Sequence, residues 1–379
     1  MQHVRDALGT APKIAILRGG GLGDFLVTTP ALRALRAVWP AAIVVLLTTP
    51  YLAPLARRYA AIDRVVLVPP YPGVVAGPYE AGAATGFLAA MQAECFDLAL
   101  QWHGGGRHSN GCVRQLGARL TAGFRTPDAA SLDYALPYDE RQHEVLRYLD
   151  LLALLGVPAR GTHLDLPVLT SDRDAVAALG DALDLEQWAA GRLVAVSLGA
   201  ADPTRRWAPE QFAAVVDVLL AEFDLPGVVV EAPAAQSGDA ERFVRALACP
   251  ARAVNLAGRT SLGALIGLTS RYRLLLTNDS GPAHIASALG TPSVVVFGSA
   301  NPLNWAPLNR TWHRVVADWA APCRYLPDDG CASDSYPPCL QAVDRAAVLE
   351  AARGLLCQQE AMRDRRQPAC ARRLPTPSV

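Results

Sequence analysis

The chain has 379 residues, 51% of them hydrophobic, and its 35 Lys and Arg residues balance 35 Asp and Glu residues to a net charge of zero. A neutral chain lacks the broad positive field that grips nucleic acid or anionic membrane, so at most peripheral membrane contact is expected and any anion has to be held locally. The length predicts two domains at roughly 150 residues each, and no run reaches the roughly 18 uninterrupted apolar residues of a membrane-spanning helix.

Residues 1–12 carry no apolar core of signal-peptide length and are expected to form an N-terminal tail on a cytoplasmic protein. Lys13–Leu17 then reads as a strand, Asp24–Val38 has helical spacing in Leu26, Pro30, Leu32 and Leu35, and Ala42–Leu47 is a second strand, giving a β-α-β unit. The intervening Gly19-Gly20-Gly21-Leu22-Gly23 lets backbone approach a ligand closely. It is not a dinucleotide loop, because Asp24 stands where the third glycine belongs and no ribose-binding acid follows Thr48-Thr49. Lys13 is the only lysine, which excludes a Walker A loop. Asp24 is either a helix N-terminal acid that complements the dipole or a carboxylate at the mouth of a cleft, the place for a general base.

Arg64–Val68 and Phe96–Gln101 read as further strands, and the second opens into the polar loop Gln101-Trp102-His103-Gly104-Gly105-Gly106-Arg107-His108-Ser109-Asn110. Polar groups beside an aromatic ring suit a carbohydrate or a phosphorylated acceptor, with His103 or Arg107 to orient it, although loops at strand ends are often merely polar. Glu140–Leu155 is an amphipathic helix that closes the first domain, and Pro158–Leu169 is the expected linker.

The alternation then restarts with strands at Leu193–Ser197, Val228–Glu231, Leu274–Thr277 and Pro292–Phe297 and an amphipathic Pro209–Phe223, so the second half is also expected to be a doubly wound α/β domain. Ligands of open parallel sheets lie beyond the strands' carboxyl ends, so two such domains across a cleft suit transfer or isomerisation. Asn278-Asp279-Ser280-Gly281-Pro282 supplies turn formers and a preset helix start. Its free N–H groups favour an anion such as a sugar diphosphate. Cys323, Cys331 and Cys339 cluster without a fourth ligand at suitable spacing and are expected to be free thiols rather than a metal site. The expected divisions are 13–165, 166–345, a C-terminal helix over 346–360 able to pack back on the first domain, and a disordered tail over 361–379.

Three stretches carry a resemblance: LRGGGLGDFLVTTPALRALRAVWP, RRWAPEQFAAVVDVL and TNDSGPAHIASALGTPSVVVFGSANPLNW. In sequence, order and spacing they look like the signatures of glycosyltransferase family 9, the heptosyltransferases. The resemblance implies a GT-B fold, two Rossmann-like doubly wound domains facing across a cleft, with the acceptor held by the first and the nucleotide sugar by the second. It implies inverting, metal-independent transfer of heptose from ADP-heptose to a glycan or glycolipid acceptor, as in lipopolysaccharide synthesis, with no cofactor.

Carried over to this chain, the resemblance makes Asp24 the catalytic base; Gly21 and Gly23 beside it, with His103 and Arg107 of the polar loop, are the candidate acceptor-side residues. Asn278, Asp279, Ser280, Gly281 and Pro282 form the donor turn, Asp279 facing the sugar. Arg205 and Arg206 stand where the family commonly has a lysine for the donor phosphates, and His284 follows on the same helix. Ser197 and Gly199 replace a His-Pro-Gly, and Glu231 is the candidate acid for the nucleotide. The plainer alternatives are helix capping for Asp279, a basic helix start paired with Glu210 for the arginines, and a core histidine for His284. A nucleotide-sugar epimerase and a catalytically inactive sugar-nucleotide-binding protein are the alternative functions.

Overall fold

The computed structural model describes residues 2–183, 193–321 and 338–366. Cys323, Cys331 and the part of the expected tail beyond 366 lie outside them.

The first half runs α1 (Gln2–Leu8), β1 (Lys13–Leu17), α2 (Leu22–Leu26), α3 (Thr29–Val38), β2 (Ile43–Thr48), α4 (Ala53–Ala56), β3 (Arg64–Leu67), α5 (Ala81–Gln92), β4 (Leu98–Gln101), α6 (Ser109–Gln115), β5 (Leu120–Arg125), β6 (Tyr134–Pro137) and α7 (Glu144–Leu154). Its six strands are parallel in the order β3-β2-β1-β4-β5-β6. The second half runs α8 (Thr170–Leu183), β7 (Val194–Ser197), α9 (Pro209–Glu222), β8 (Val228–Glu231), α10 (Ser237–Ala246), β9 (Ala253–Asn255), α11 (Leu262–Thr269), β10 (Leu274–Asn278), α12 (Gly281–Leu289), β11 (Ser293–Phe297), α13 (Pro302–Trp305), β12 (His313–Ala317), α14 (Pro338–Gln341) and α15 (Arg345–Arg366). Its parallel sheet has the order β12-β11-β10-β7-β8-β9, the same winding as the first. Both are Rossmann-like sheets. The central strands β1, β4, β7 and β10 are buried along nearly their whole length, as sheets covered on both faces require.

Three expectations are corrected. Residues 2–8 form a helix rather than a tail, because Val4 and Leu8, one turn apart, pack into the first core while Trp39 Nε1 donates to the Gly9 carbonyl at 3.0 Å. The single helix expected over 24–38 is split at Thr28, since Pro30 has no N–H to continue the ladder and the Thr28 and Thr29 hydroxyls donate instead to the Phe25 and Leu26 carbonyls. The C-terminal helix reaches Arg366, into the stretch expected to be disordered, and packs on the second domain. Val348, Ala352, Leu355 and Leu356 form one apolar stripe against α9 and the second sheet, pinned by Arg353 to Glu222 and by Arg273 to Glu360.

The stretch 158–169 carries no helix or strand. Beyond it Asp172, at the start of α8, takes both guanidinium nitrogens of Arg58 at 2.6 Å. Further contacts join the halves. Helices α2 and α12 pack together, Ile266 and Ile285 enter the first domain's core, and His143 Nε2 donates to the Ala306 carbonyl at 2.8 Å. Among the described residues no helix is long and apolar enough to cross a membrane.

Candidate active site

The first wall of the cleft is the β1–α2 loop. Gly20 has φ +99, a left-handed conformation, and a β-carbon there would come within 2.8 Å of the Asp24 carboxylate, so only glycine leaves the side chain its place. Asp24 turns back on the loop: Oδ2 accepts from the Gly21 N–H at 2.8 Å and Oδ1 from Arg18 Nη2 at 2.9 Å. Its side chain is 35% exposed, whereas that of Arg18 is 4% exposed. The result is a carboxylate that is held from behind and open in front. Arg18 escaped the sequence reading because it sits at the end of an apolar strand with nothing local to mark it.

His103 is not free to orient an acceptor as expected. Its Nδ1 accepts from the Gly19 N–H at 3.3 Å, and its Nε2 therefore carries the proton and donates to the Gly73 carbonyl at 3.0 Å. Burial, with the Arg18 charge nearby, holds its pKa below the usual histidine value. The ring is a neutral brace between two loops. Arg107 is exposed and paired with Asp128 at 2.6 Å, outside the network around Asp24.

The second wall is the N-terminus of α12. Ser280 is extended at the cap position without a side-chain cap bond, Pro282 presets the first turn, and Gly290 ends the helix in the left-handed region. Within that turn Pro282 has no N–H and the Ala283 N–H donates to the Ser280 carbonyl at 3.0 Å, which leaves the Gly281 N–H as the first-turn donor beside the cleft. Asn278 is a clamp rather than a ligand group, since its Oδ1 accepts from the Trp207 N–H at 2.9 Å and its Nδ2 donates to the Leu198 carbonyl at 2.8 Å. Asp279 is buried and lies 3.6 Å from Arg205 Nη1, so it faces that guanidinium. The two arginines separate. Arg205 stays with the turn, while Arg206 donates to the Ala200 carbonyl at 2.9 Å and lines a surface hollow with Asp239, Arg242 and Arg245.

His284 is buried against the first domain. A β-carbon on Gly23 would come within 2.5 Å of its Cδ2, and the Trp305 ring lies edge-on 6.1 Å away. Burial pushes its pKa down to about 4, with Asp24 acting against and His143 and Arg205 adding to that shift. A β-carbon on Gly281 would sit 3.3 Å from Leu22, so the two motifs touch directly.

Between the walls lies a cleft of about 640 Å³, lined by Gly21, Leu22, Tyr51 and Pro54 from the first domain and by Ser197, Gly199, Glu231, Ser280, Gly281 and Pro282 from the second. Gly199 is packed against Pro233, where a β-carbon would meet its Cδ at 2.5 Å. Glu231 Oε1 accepts from the buried Tyr272 hydroxyl at 2.7 Å, and Oε2 has no partner among the described residues. Burial raises the carboxyl to about 7 against the lowering effect of Tyr272. Tyr272 and Tyr51 were not anticipated, lying in segments whose patterning marks only core and turn. Among the described residues no three His, Cys, Asp or Glu side chains are grouped to hold a metal ion.

The family model for glycosyltransferase family 9 (heptosyltransferase) matches residues 87–329. Lipopolysaccharide heptosyltransferase 2 of Escherichia coli is 33% identical over 107 residues, 28% of this chain and 30% of that protein, so the chain spans less than a third of this curated relative. Among solved structures, a family 9 glycosyl transferase from Veillonella parvula superposes with a TM-score of 0.76 at 22% identity, covering 92% of this chain and 98% of that one. The E. coli ADP-heptose LPS heptosyltransferase II gives 0.70 at 21%, covering 92% and 99%. These likenesses establish the GT-B fold.

Proposed function

The chain belongs to glycosyltransferase family 9, and we propose that it transfers heptose from ADP-heptose to a hydroxyl of a glycan or glycolipid acceptor, in lipopolysaccharide core assembly, on the cytoplasmic side. The observation that supports this reading is the contact of Gly23 with His284, which brings the loop that holds the part-exposed Asp24 carboxylate against α12, with Gly21, Leu22, Ser280 and Gly281 lining one cleft. The alternatives of an epimerase or an inactive binding protein are not favoured beside the family match and a base that is exposed and held.

In this mechanism Asp24 accepts the proton of the acceptor hydroxyl as its oxygen attacks the anomeric carbon. The attack comes opposite the departing diphosphate, so the configuration inverts. Charge growing on the diphosphate is met by the Gly281 N–H, by the α12 helix dipole and by Arg205. These donors are preorganised, so neither an acid nor a metal is required of the reaction. Glu231 receives a ribose hydroxyl on Oε2, which removes its orphaned state. Gly21 leaves room for the acceptor beside the base. His284 contacts the sugar or keeps the wall shut, and being neutral it does not compete with Arg205 for the phosphates.

A thermal-shift screen against ADP, GDP, UDP and dTDP tests the donor. Stabilisation by ADP, followed by ADP release from ADP-heptose only when a heptose-deficient lipopolysaccharide core is present, is expected. Stabilisation by a non-adenine nucleotide alone overturns the heptose assignment.

A further inference from the structure

We propose that Arg18 is the positioning residue for the Asp24 carboxylate, holding main chain and side chain of the base together so that one carboxylate rotamer faces the cleft. The proposal rests on Asp24 being the base.

Helix α2 has five residues, too few to hold its own shape, because one or two turns of isolated helix lie below the length at which helix formation becomes favourable. Asp24 therefore needs an anchor outside its helix. Arg18 supplies it with three donors: Nε to the Asp24 main-chain carbonyl at 2.7 Å, Nη2 to Asp24 Oδ1 at 2.9 Å and Nη1 to the Trp102 carbonyl at 2.8 Å. Two bonds from one planar guanidinium to the carbonyl and the carboxylate of the same residue fix the side-chain rotamer in a way that an ammonium, a point charge, does not reproduce.

Arg18 is itself fixed. Its guanidinium lies 5.6 Å from the Tyr148 ring centre, and the Tyr148 hydroxyl donates to the same Trp102 carbonyl at 3.2 Å. Glu144 and Arg147, in contact at 3.1 Å on α7, are both buried beside this group, so charges of alternating sign run from Asp24 into the domain. A guanidinium with so little exposure is stable only when paired, and its carboxylate partner is Asp24. A residue serving only to tie β1 to Trp102 has no need of a carboxylate partner that stays part-exposed.

The test compares Arg18→Met, Arg18→Lys, Asp24→Asn and the Arg18→Met/Asp24→Asn pair, reading kcat with ADP-heptose and acceptor and the Kd of ADP alone. Arg18→Met is expected to lower kcat roughly 100-fold, the cost of a misplaced catalytic group, with the Kd of ADP within about twofold of the parent. Arg18→Lys falls between Met and Arg. In the Asp24→Asn background the same change removes nothing further from the residual rate. An unchanged kcat in Arg18→Met, an ADP affinity that falls in step with kcat, or an equal loss in the Asp24→Asn background overturns the proposal. If Arg18→Met does not fold, the split between kcat and Kd in Arg18→Lys decides. An Asp24→Asn enzyme with full kcat sinks the base assignment instead, whatever Arg18 does.

Discussion

Gly23 of the first domain and His284 of the second meet so closely that a β-carbon on the glycine would come within 2.5 Å of the imidazole Cδ2. Each belongs to a different sequence motif, about 260 residues apart, and their contact brings the β1–α2 loop and the N-terminus of α12 to one cleft. Contact this tight makes the pair sensitive to a single methyl. Gly23→Ala is expected to cut kcat/KM at least tenfold, and His284→Ala on top of it to recover part of the loss by making room. Steady-state kinetics of the two single variants and the double variant check this; additive losses contradict a steric cause.

The two arginines ahead of Trp207 are predicted to behave differently. Arg205 lies at the turn before α12 beside Asp279, whereas Arg206 is spent on the Ala200 and Ala201 carbonyls. Arg205→Ala should weaken ADP binding about tenfold, the order of a charge-assisted hydrogen bond. Arg206→Ala should lower the Tm and leave the Kd of ADP nearly unchanged. Calorimetric titration with ADP separates the two, and equal losses of affinity contradict the assignment.

Glu231 gives a prediction in pH. An unfolded glutamate loses its proton near 4.5, while Glu231 in the fold keeps it up to about 7 because it is buried. Between these values the native state holds the extra proton, so this group's contribution to stability falls as pH rises from 4.5 to 7, by on the order of 3 kcal/mol. Glu231→Gln removes the slope. Thermal melts should show the variant's Tm above the parent's at pH 8 and near it at pH 4.5; a difference that does not change with pH contradicts this.

The strands β1–β4, β7, β8, β10 and β11 and the two doubly wound sheets were legible in the sequence because parallel strands covered on both faces are near-continuous apolar runs, whereas β5 and the half-buried β6, β9 and β12 were not, and Asp24, the glycine loop and the α12 turn stood out by residue type and spacing. Partnering was not legible. Asn278 and His103 are the residues a polar site would use, yet both ring nitrogens of His103 and both amide atoms of Asn278 that face the fold are already bonded within it. Arg18 and Tyr272 gave the opposite error, being set in apolar surroundings and revealed only by what lies across from them. Helix α1 shows the same limit, since two apolar residues one turn apart are too few to mark an amphipathic helix.

Asp24→Asn is the most direct test of the proposed chemistry, because it keeps the size of the side chain and one of its two accepted bonds, from Gly21 or from Arg18, while removing the proton acceptor. Single-turnover transfer from ADP-heptose should slow by roughly 100-fold to 10,000-fold, the range for losing a general base, with the Kd of ADP unchanged. Transfer at the parent rate with normal ADP binding would contradict it.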